Sequence, residues 1–227
     1  MFESKYGKTL TIGLVILILI VIGALVFFTI DYIKSVNTNN EALNEANKFI
    51  NEVNDPTKNN VIKNEEESNT QTNVELNIQV ENIVSDGTSN SENTDTYKGF
   101  EKAGVIEIPK TNLKYVVLAQ GSKDAIEVSV AVNGGPGLNK VGNTIIIGHN
   151  YRNGTFFSNN KNLANGDKVY ITDKTGAKIE YTIYDIYTTS TGDSDYMERD
   201  TNGQKEITLV TCTDDTKSRL VICAKAN

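Results

Sequence analysis

The chain has 227 residues, enough for one full domain with length to spare, and a net charge of −7 from 22 Lys and Arg against 29 Asp and Glu. That acidic balance, with no basic cluster anywhere, excludes a nucleic-acid partner. A single histidine and two cysteines narrow the available side-chain chemistry further.

Residues 1–8 form a short tail carrying Lys5 and Lys8, and residues 9–30 follow with no charge and a dominance of Ile, Leu and Val. At about 1.5 Å rise per residue the apolar run spans roughly 33 Å, the thickness of a bilayer core. The basic flank predicts a cytoplasmic N-terminus, with Asp31 and everything after it outside. A cleaved signal peptide would have a shorter apolar core and a small-x-small site. Gly23-Ala24, followed by Phe27-Phe28, fits that poorly. The expectation is an uncleaved single-pass anchor in the cell membrane.

Residues 31–96 are rich in Asn, Glu, Ser and Thr, with Pro56 the one proline. Most of this stretch has too little apolar surface to offset the entropy of ordering, so it reads as a largely disordered extracytoplasmic stalk. Within it, Leu43, Ala46, Phe49, Ile50 and Val53 recur at helical spacing, which predicts a membrane-proximal helix over 41–53. Residues 74–80 alternate strictly, the pattern of a short strand, of a partner-docking segment or of a sticky patch in a flexible tether.

The texture changes at residue 97, where a domain is expected to begin and run to residue 227. Residues 104–109 read as a strand ended by Pro109, and 115–118 as a second. Residues 125–132 form a short helix or strand. Residues 143–149 form the most buried strand, with Ile145, Ile146 and Ile147 apolar on both faces. Strands over 168–172 and 178–188 and a final hairpin bring the count to seven or eight. Short strands separated by Gly, Asn and Asp turns indicate an all-β barrel or sandwich.

His149 stands at the mouth of its strand, after Gly148 and before a turn containing Asn153-Gly154. By position alone it would be a turn or surface residue; its company changes that. The hairpin strands 206–212 and 219–225 both alternate, and the six residues between them are turn formers. Folding about Asp215-Thr216 pairs Glu206 with Lys225, Leu209 with Ile222, Val210 with Val221, and Cys212 with Arg219. Facing Cβ atoms in such a pair lie about 5 Å apart, so a thiol sits beside a guanidinium. Cys223 falls opposite Thr208, about 14 Å along the strand from Cys212 and out of disulfide reach. Cys212 is therefore expected to be a free thiol and Cys223 a small core residue. Taken alone, Arg219 would be a solvated edge arginine paired with Asp214 or Asp215.

Thiolate is the nucleophile of cysteine chemistry, and imidazole takes and returns a proton near neutral pH. A guanidinium favours the thiolate and stabilises the oxyanion formed when it attacks a carbonyl. The ordered trio His149, Cys212, Arg219 behind an N-terminal anchor resembles the sortases, membrane-anchored cysteine transpeptidases of Gram-positive bacteria. The resemblance runs from about residue 104 to the end. It rests on Ile108-Pro109, the segment from Gly142-Asn143-Thr144 to Gly148-His149, the Thr-Leu-x-Thr-Cys motif ending at Cys212, and Arg219.

The resemblance implies a closed eight-stranded β-barrel with short helices. It also implies that Cys212 attacks the backbone carbonyl of a Leu-Pro-x-Thr-Gly-like sorting motif in an exported surface protein. A peptidoglycan cross-bridge amine or a pilin amine then resolves the thioacyl enzyme. His149 would be general acid and base, Arg219 would hold substrate and oxyanion, and Thr211 would add a weaker polar contact to substrate. No C-terminal hydrophobic segment and no lid sequence are apparent, which favours anchoring over pilin polymerisation. No cofactor is expected. Asp193, Asp195, Glu198 and Asp200 lie where some sortases bind calcium, but their spacing fits a solvated acidic loop better than an oxygen cage.

Two alternatives stand beside this reading. A secreted cysteine peptidase would hand the same acyl group to water, although the papain-like order, cysteine before histidine in a Cys-Gly-x-Cys-Trp context, is absent. A non-catalytic surface module would leave Cys212 a passive thiol.

Overall fold

The computed structural model of the chain describes residues 5–55 and 95–227. A single helix, α1 (Lys5–Val53), leads into a β-domain. The strands are β1 (Thr96–Tyr97), β2 (Phe100–Ile108), β3 (Leu113–Leu118), β4 (Val130–Gly134), β5 (Gly142–Ile147), β6 (Lys168–Asp173), β7 (Lys178–Ser190), β8 (Lys205–Cys212) and β9 (Ser218–Ala226). One short helix, α2 (Lys123–Val128), joins β3 to β4 and is capped by the Ser122 side chain, which accepts from Ala125 N–H.

The sheet order is β2-β3-β4-β5-β8-β9-β7-β6, and β6 pairs back onto β2, so eight strands close into a barrel with β1 as an appendage of β2. Closure removes the sheet edges that an open all-β domain would have to protect. Two pairings are parallel, β3 with β4 and β5 with β8; all others are antiparallel. The β8–β9 register is the one the alternation predicts, with Val210 on Val221, Leu209 on Ile222 and Cys212 on Arg219.

Strand alternation sorts the apolar side chains among three clusters, of which two are the barrel interior and its seam with α1 and the third gathers Ile145, Val210, Val221 and Cys223 under Tyr196. Ile106, Ile108, Val117, Ile146, Ile171, Ile207, Leu209 and Ile222 fill the barrel. Val105, Val116 and Leu118 point the other way, against Ala46 and Phe49 of α1 and Ala125 of α2. β2 and β3 are thus covered on both faces, which is why their sequences read as near-continuous apolar runs.

The helix expected over 41–53 is present, but it extends back without a break through residues 31–40, where a stalk was expected, into the apolar run. From Leu10 to Ile33 its large apolar side chains are exposed, and the segment is a candidate membrane span by length and composition. Beyond it the helix continues without a break and buries Ser35, Ala42, Ala46 and Phe49. Leu43, assigned to the apolar stripe from sequence, is instead 41% exposed. The contact stripe uses small residues, so the helix approaches the barrel closely, and polar ones that find partners on it. That is how so Asn- and Glu-rich a segment orders. Most of the remaining stalk, including the alternating residues 74–80, lies outside the described residues.

One ion cluster ties the helix to the barrel. Lys102 of β2 is only 1% exposed, and its Nζ lies 3.0 Å from Glu45 and 3.7 Å from Glu52 of α1. Phe49 stacks beneath the ammonium at 5.6 Å. A buried ammonium needs such partners because desolvation costs several kcal/mol. Glu45→Ala should therefore cost about 2–4 kcal/mol, whereas Lys102→Met should fall within about 1 kcal/mol of wild type, since the freed carboxylates reach solvent. Guanidinium unfolding of the full chain in detergent micelles measures both. Equal stability of Glu45→Ala and wild type would show that the pair contributes nothing.

Candidate active site

The barrel rim at the C-terminal ends of β5 and β8 gathers the reactive side chains. β5 and β8 run parallel with Ile147 opposite Val210. The pairing extends past the strand end, where Gly148 N–H donates to Val210 O at 3.2 Å and Thr211 Oγ1 donates to Gly148 O at 2.7 Å. One residue further, His149 emerges level with Cys212. Gly148 itself leaves no room for a side chain: a Cβ there would lie 2.8 Å from Val130 Cγ1 and 2.9 Å from the Phe157 ring.

From the other side, the β8–β9 hairpin places Arg219 opposite Cys212, and its Nη1 donates to Cys212 Sγ at 2.7 Å. Neither Asp214 nor Asp215 competes for that guanidinium. Asp214 accepts from Lys161 (2.6 Å) and from Asn150 Nδ2 (2.9 Å). Asp215 builds the turn, accepting from Thr213 Oγ1 at 2.6 Å and Lys217 N–H at 3.1 Å. These local bonds hold both carboxyls below the usual Asp range.

Cys212, Arg219, His149 and Thr211 line one cleft of about 280 Å³, walled further by Ile126 of α2 and Tyr196. Both cysteines are free. Cys212 is partly exposed, whereas Cys223 is 1% exposed and its thiol is pushed up by burial. Thr211 is 4% exposed and its hydroxyl proton is committed to Gly148, so towards the cleft its oxygen offers only an acceptor.

Three further residues shape the site without having stood out in the sequence. Glu127 of α2 brings Oε1 to 3.1 Å from His149 Nε2. The approach is electrostatic rather than an aligned hydrogen bond, because Nε2 has no partner in hydrogen-bonding geometry. Tyr151 donates its hydroxyl to Glu127 and stacks on the imidazole at 4.9 Å between centroids. That hydrogen bond holds the Glu127 carboxyl below its ordinary range, while burial and the same carboxylate push Tyr151 up to about 12. Asn150 bridges the two halves of the rim, donating to Cys212 O at 2.9 Å. A polar residue next to the sole histidine was the only sequence signal for Asn150. Glu127 and Tyr151 carried none, because their role depends on where α2 docks.

In the acidic connection after β7, Asp193 accepts from Thr189 and from Asp195 N–H (2.9 Å), and Asp200 accepts from Asn202 N–H (2.8 Å). Among the described residues, no three His, Cys, Asp or Glu side chains converge on a common point.

The arrangement is a thiol held against a guanidinium with an imidazole in the same cleft, a set of groups suited to acyl transfer. The Sortase domain family matches residues 106–227. Among solved structures the chain is similar to a Clostridium perfringens sortase D5 transpeptidase, with 29% identity over 56% of this chain and 79% of that one, at a TM-score of 0.51. It shares its fold with a lid mutant of sortase A from Corynebacterium diphtheriae (23% identity, 56% and 71% covered, TM-score 0.52). The same holds for sortase C1 from Streptococcus agalactiae (21% identity, 61% and 75% covered, TM-score 0.52). Among curated proteins none matches the chain. With more than half of its length matched to the family and its barrel shared with these enzymes, the chain belongs to the sortases and is a cysteine transpeptidase of the sortase kind.

Proposed function

We propose that Cys212 is the nucleophile, His149 the general acid and base, and Arg219 the charge that stabilises thiolate and oxyanion, acting on a Leu-Pro-x-Thr-Gly-like sorting motif of exported proteins. The observation that carries this reading is the 2.7 Å contact of Arg219 Nη1 with Cys212 Sγ, in the cleft that also holds His149. The Cys212 thiolate attacks the scissile carbonyl carbon, and the electron pair moves to the carbonyl oxygen beside the remaining N–H groups of Arg219. A guanidinium has five donors in a planar fork, so it can serve sulfur and oxyanion in turn. Collapse breaks the C–N bond, the protonated imidazole passes its proton to the leaving amine, and a thioester remains on Cys212. An incoming amine then attacks the thioester carbon and gives its proton to His149, and the thiolate departs. Glu127, 3.1 Å from Nε2, stabilises the imidazolium while it carries that proton.

The acceptor in this reading is an amine of a peptidoglycan cross-bridge or of a pilin. We place residues 9–30 across the cell membrane with Lys5 and Lys8 on the cytoplasmic side and the barrel outside. Because α1 continues unbroken from the apolar run onto the barrel, the cleft is held close to the membrane surface, where a newly exported protein still tethered by its C-terminus would meet it.

Cys212→Ala should abolish the thioacyl adduct with sorting peptides, read by intact mass, while far-ultraviolet circular dichroism stays at wild type. An adduct in that variant would remove the nucleophile assignment. Arg219→Lys should lower kcat/KM about 100-fold, since a point charge replaces the fork. Activity within about threefold of wild type would mean that charge alone matters there. Product analysis with and without triglycine separates transfer from hydrolysis: the transpeptidase reading requires an amide product when the amine is present.

A further inference from the structure

The helix that carries the anchor also reaches the loop that carries the histidine. Ser35, 6% exposed, donates through Oγ to Asn153 O at 2.7 Å. One turn on, Asn39 Nδ2 donates to Gly154 O at 3.4 Å, and Asn39 Oδ1 accepts the hydroxyl proton of Tyr115. The Tyr115 oxygen in turn accepts from Phe156 N–H at 3.2 Å, and the neighbouring Phe157 N–H donates to His149 O at 3.0 Å. A file of rings runs the same way, Tyr115 on Phe156 at 5.4 Å, Phe156 on Tyr151 at 5.7 Å, and Tyr151 on His149 at 4.9 Å.

This loop does not hold its shape by local preference. Arg152 and Phe156 sit at φ of 61° and 49°, a region that side-chain-bearing residues avoid, and a bulky aromatic most of all. Such a conformation persists only where surrounding contacts over-determine it. On the inner side the contacts come from the barrel; on the outer side they come from α1. The groups facing the imidazole itself are Glu127 from α2, Tyr151 from its own loop, and Cys212 and Arg219 across the cleft.

We propose that Ser35 and Asn39 of α1, with Tyr115 of β3 as relay, are positioning residues that hold the 149–157 loop and so set the orientation of His149. The anchor helix is then part of the active-site scaffold rather than a tether. The proposal rests on the reading of His149 as the acid–base group, but its structural half can be measured without catalysis. His149 is the only histidine, so in the full chain labelled with ¹³C-histidine the imidazole gives a spectrum free of overlap.

The test uses the full chain in detergent micelles with Ser35→Ala, Asn39→Ala and the milder Tyr115→Phe, and with Asn47→Ala, at an exposed position further along the same helix, as control. The variants should displace or broaden the His149 ring resonance. They should also lower kcat about 10- to 100-fold on a Leu-Pro-Glu-Thr-Gly peptide with triglycine as acceptor, with KM little changed, since a misplacement near 1 Å costs that much. Asn47→Ala should leave both readouts at wild type. An unchanged imidazole resonance in Tyr115→Phe and Ser35→Ala overturns the proposal, whether or not kcat falls, because any loss then comes through the fold and not through the ring. His149→Ala run alongside keeps the two readings apart. Full activity there would end the acid–base assignment, while the resonances of the other variants would still decide whether α1 positions the loop.

Discussion

The parallel pairing of β5 with β8 is the constraint on which the site depends. Parallel neighbours end on the same edge of a sheet, so the residues just beyond them emerge together. With Ile147 on Val210 and the register carried on by Gly148 and Thr211, His149 and Cys212 arrive at one rim although 63 positions separate them. A slip of one residue would turn Cys212 into the barrel wall and leave the histidine facing solvent. Ile145, Ile146, Ile207 and Leu209, each 1% exposed or less, hold that register through burial on both faces of the sheet.

Around this pairing the charges are arranged by exclusion as much as by attraction. Arg219 lies near two aspartates that would ordinarily claim it, yet each has its own partners, Lys161 and Asn150 for Asp214 and the turn backbone for Asp215. The guanidinium is left for the thiol. Cys223 shows the opposite environment on the adjacent strand: buried, its thiol pushed up, close to a small apolar core residue in behaviour. Two cysteines eleven positions apart thus occupy chemically distinct settings because one ends a strand at the rim and the other sits in its middle.

The N-terminal helix joins the candidate membrane span to the barrel without a break. Its small-residue stripe, Ala42 and Ala46, lets the backbone lie close to β3, and the buried Lys102 with Glu45 and Glu52 sets its rotation, since a helix turned away would strand an ammonium in the interior. A span that ended in a flexible tether would let the cleft wander; a continuous helix with these contacts does not.

Local pattern alone settles several of these features. Alternation and turn chemistry dictate the β8–β9 hairpin and its register, and with it the meeting of Cys212 and Arg219, because residues seven apart across a short turn have few other ways to pair. Uninterrupted apolarity over residues 9–30 marks the candidate span for the same reason, as a property of neighbours in sequence. The docking of residues 31–53, the convergence of His149 on the thiol, and the roles of Glu127, Tyr151 and Asn150 were decided only by the folded chain. Each depends on partners 24 to 118 positions away. A polar Asn- and Glu-rich segment looks unable to order by its own composition, and it does so only because the barrel supplies the buried lysine, the carbonyls and the apolar face that its side chains match.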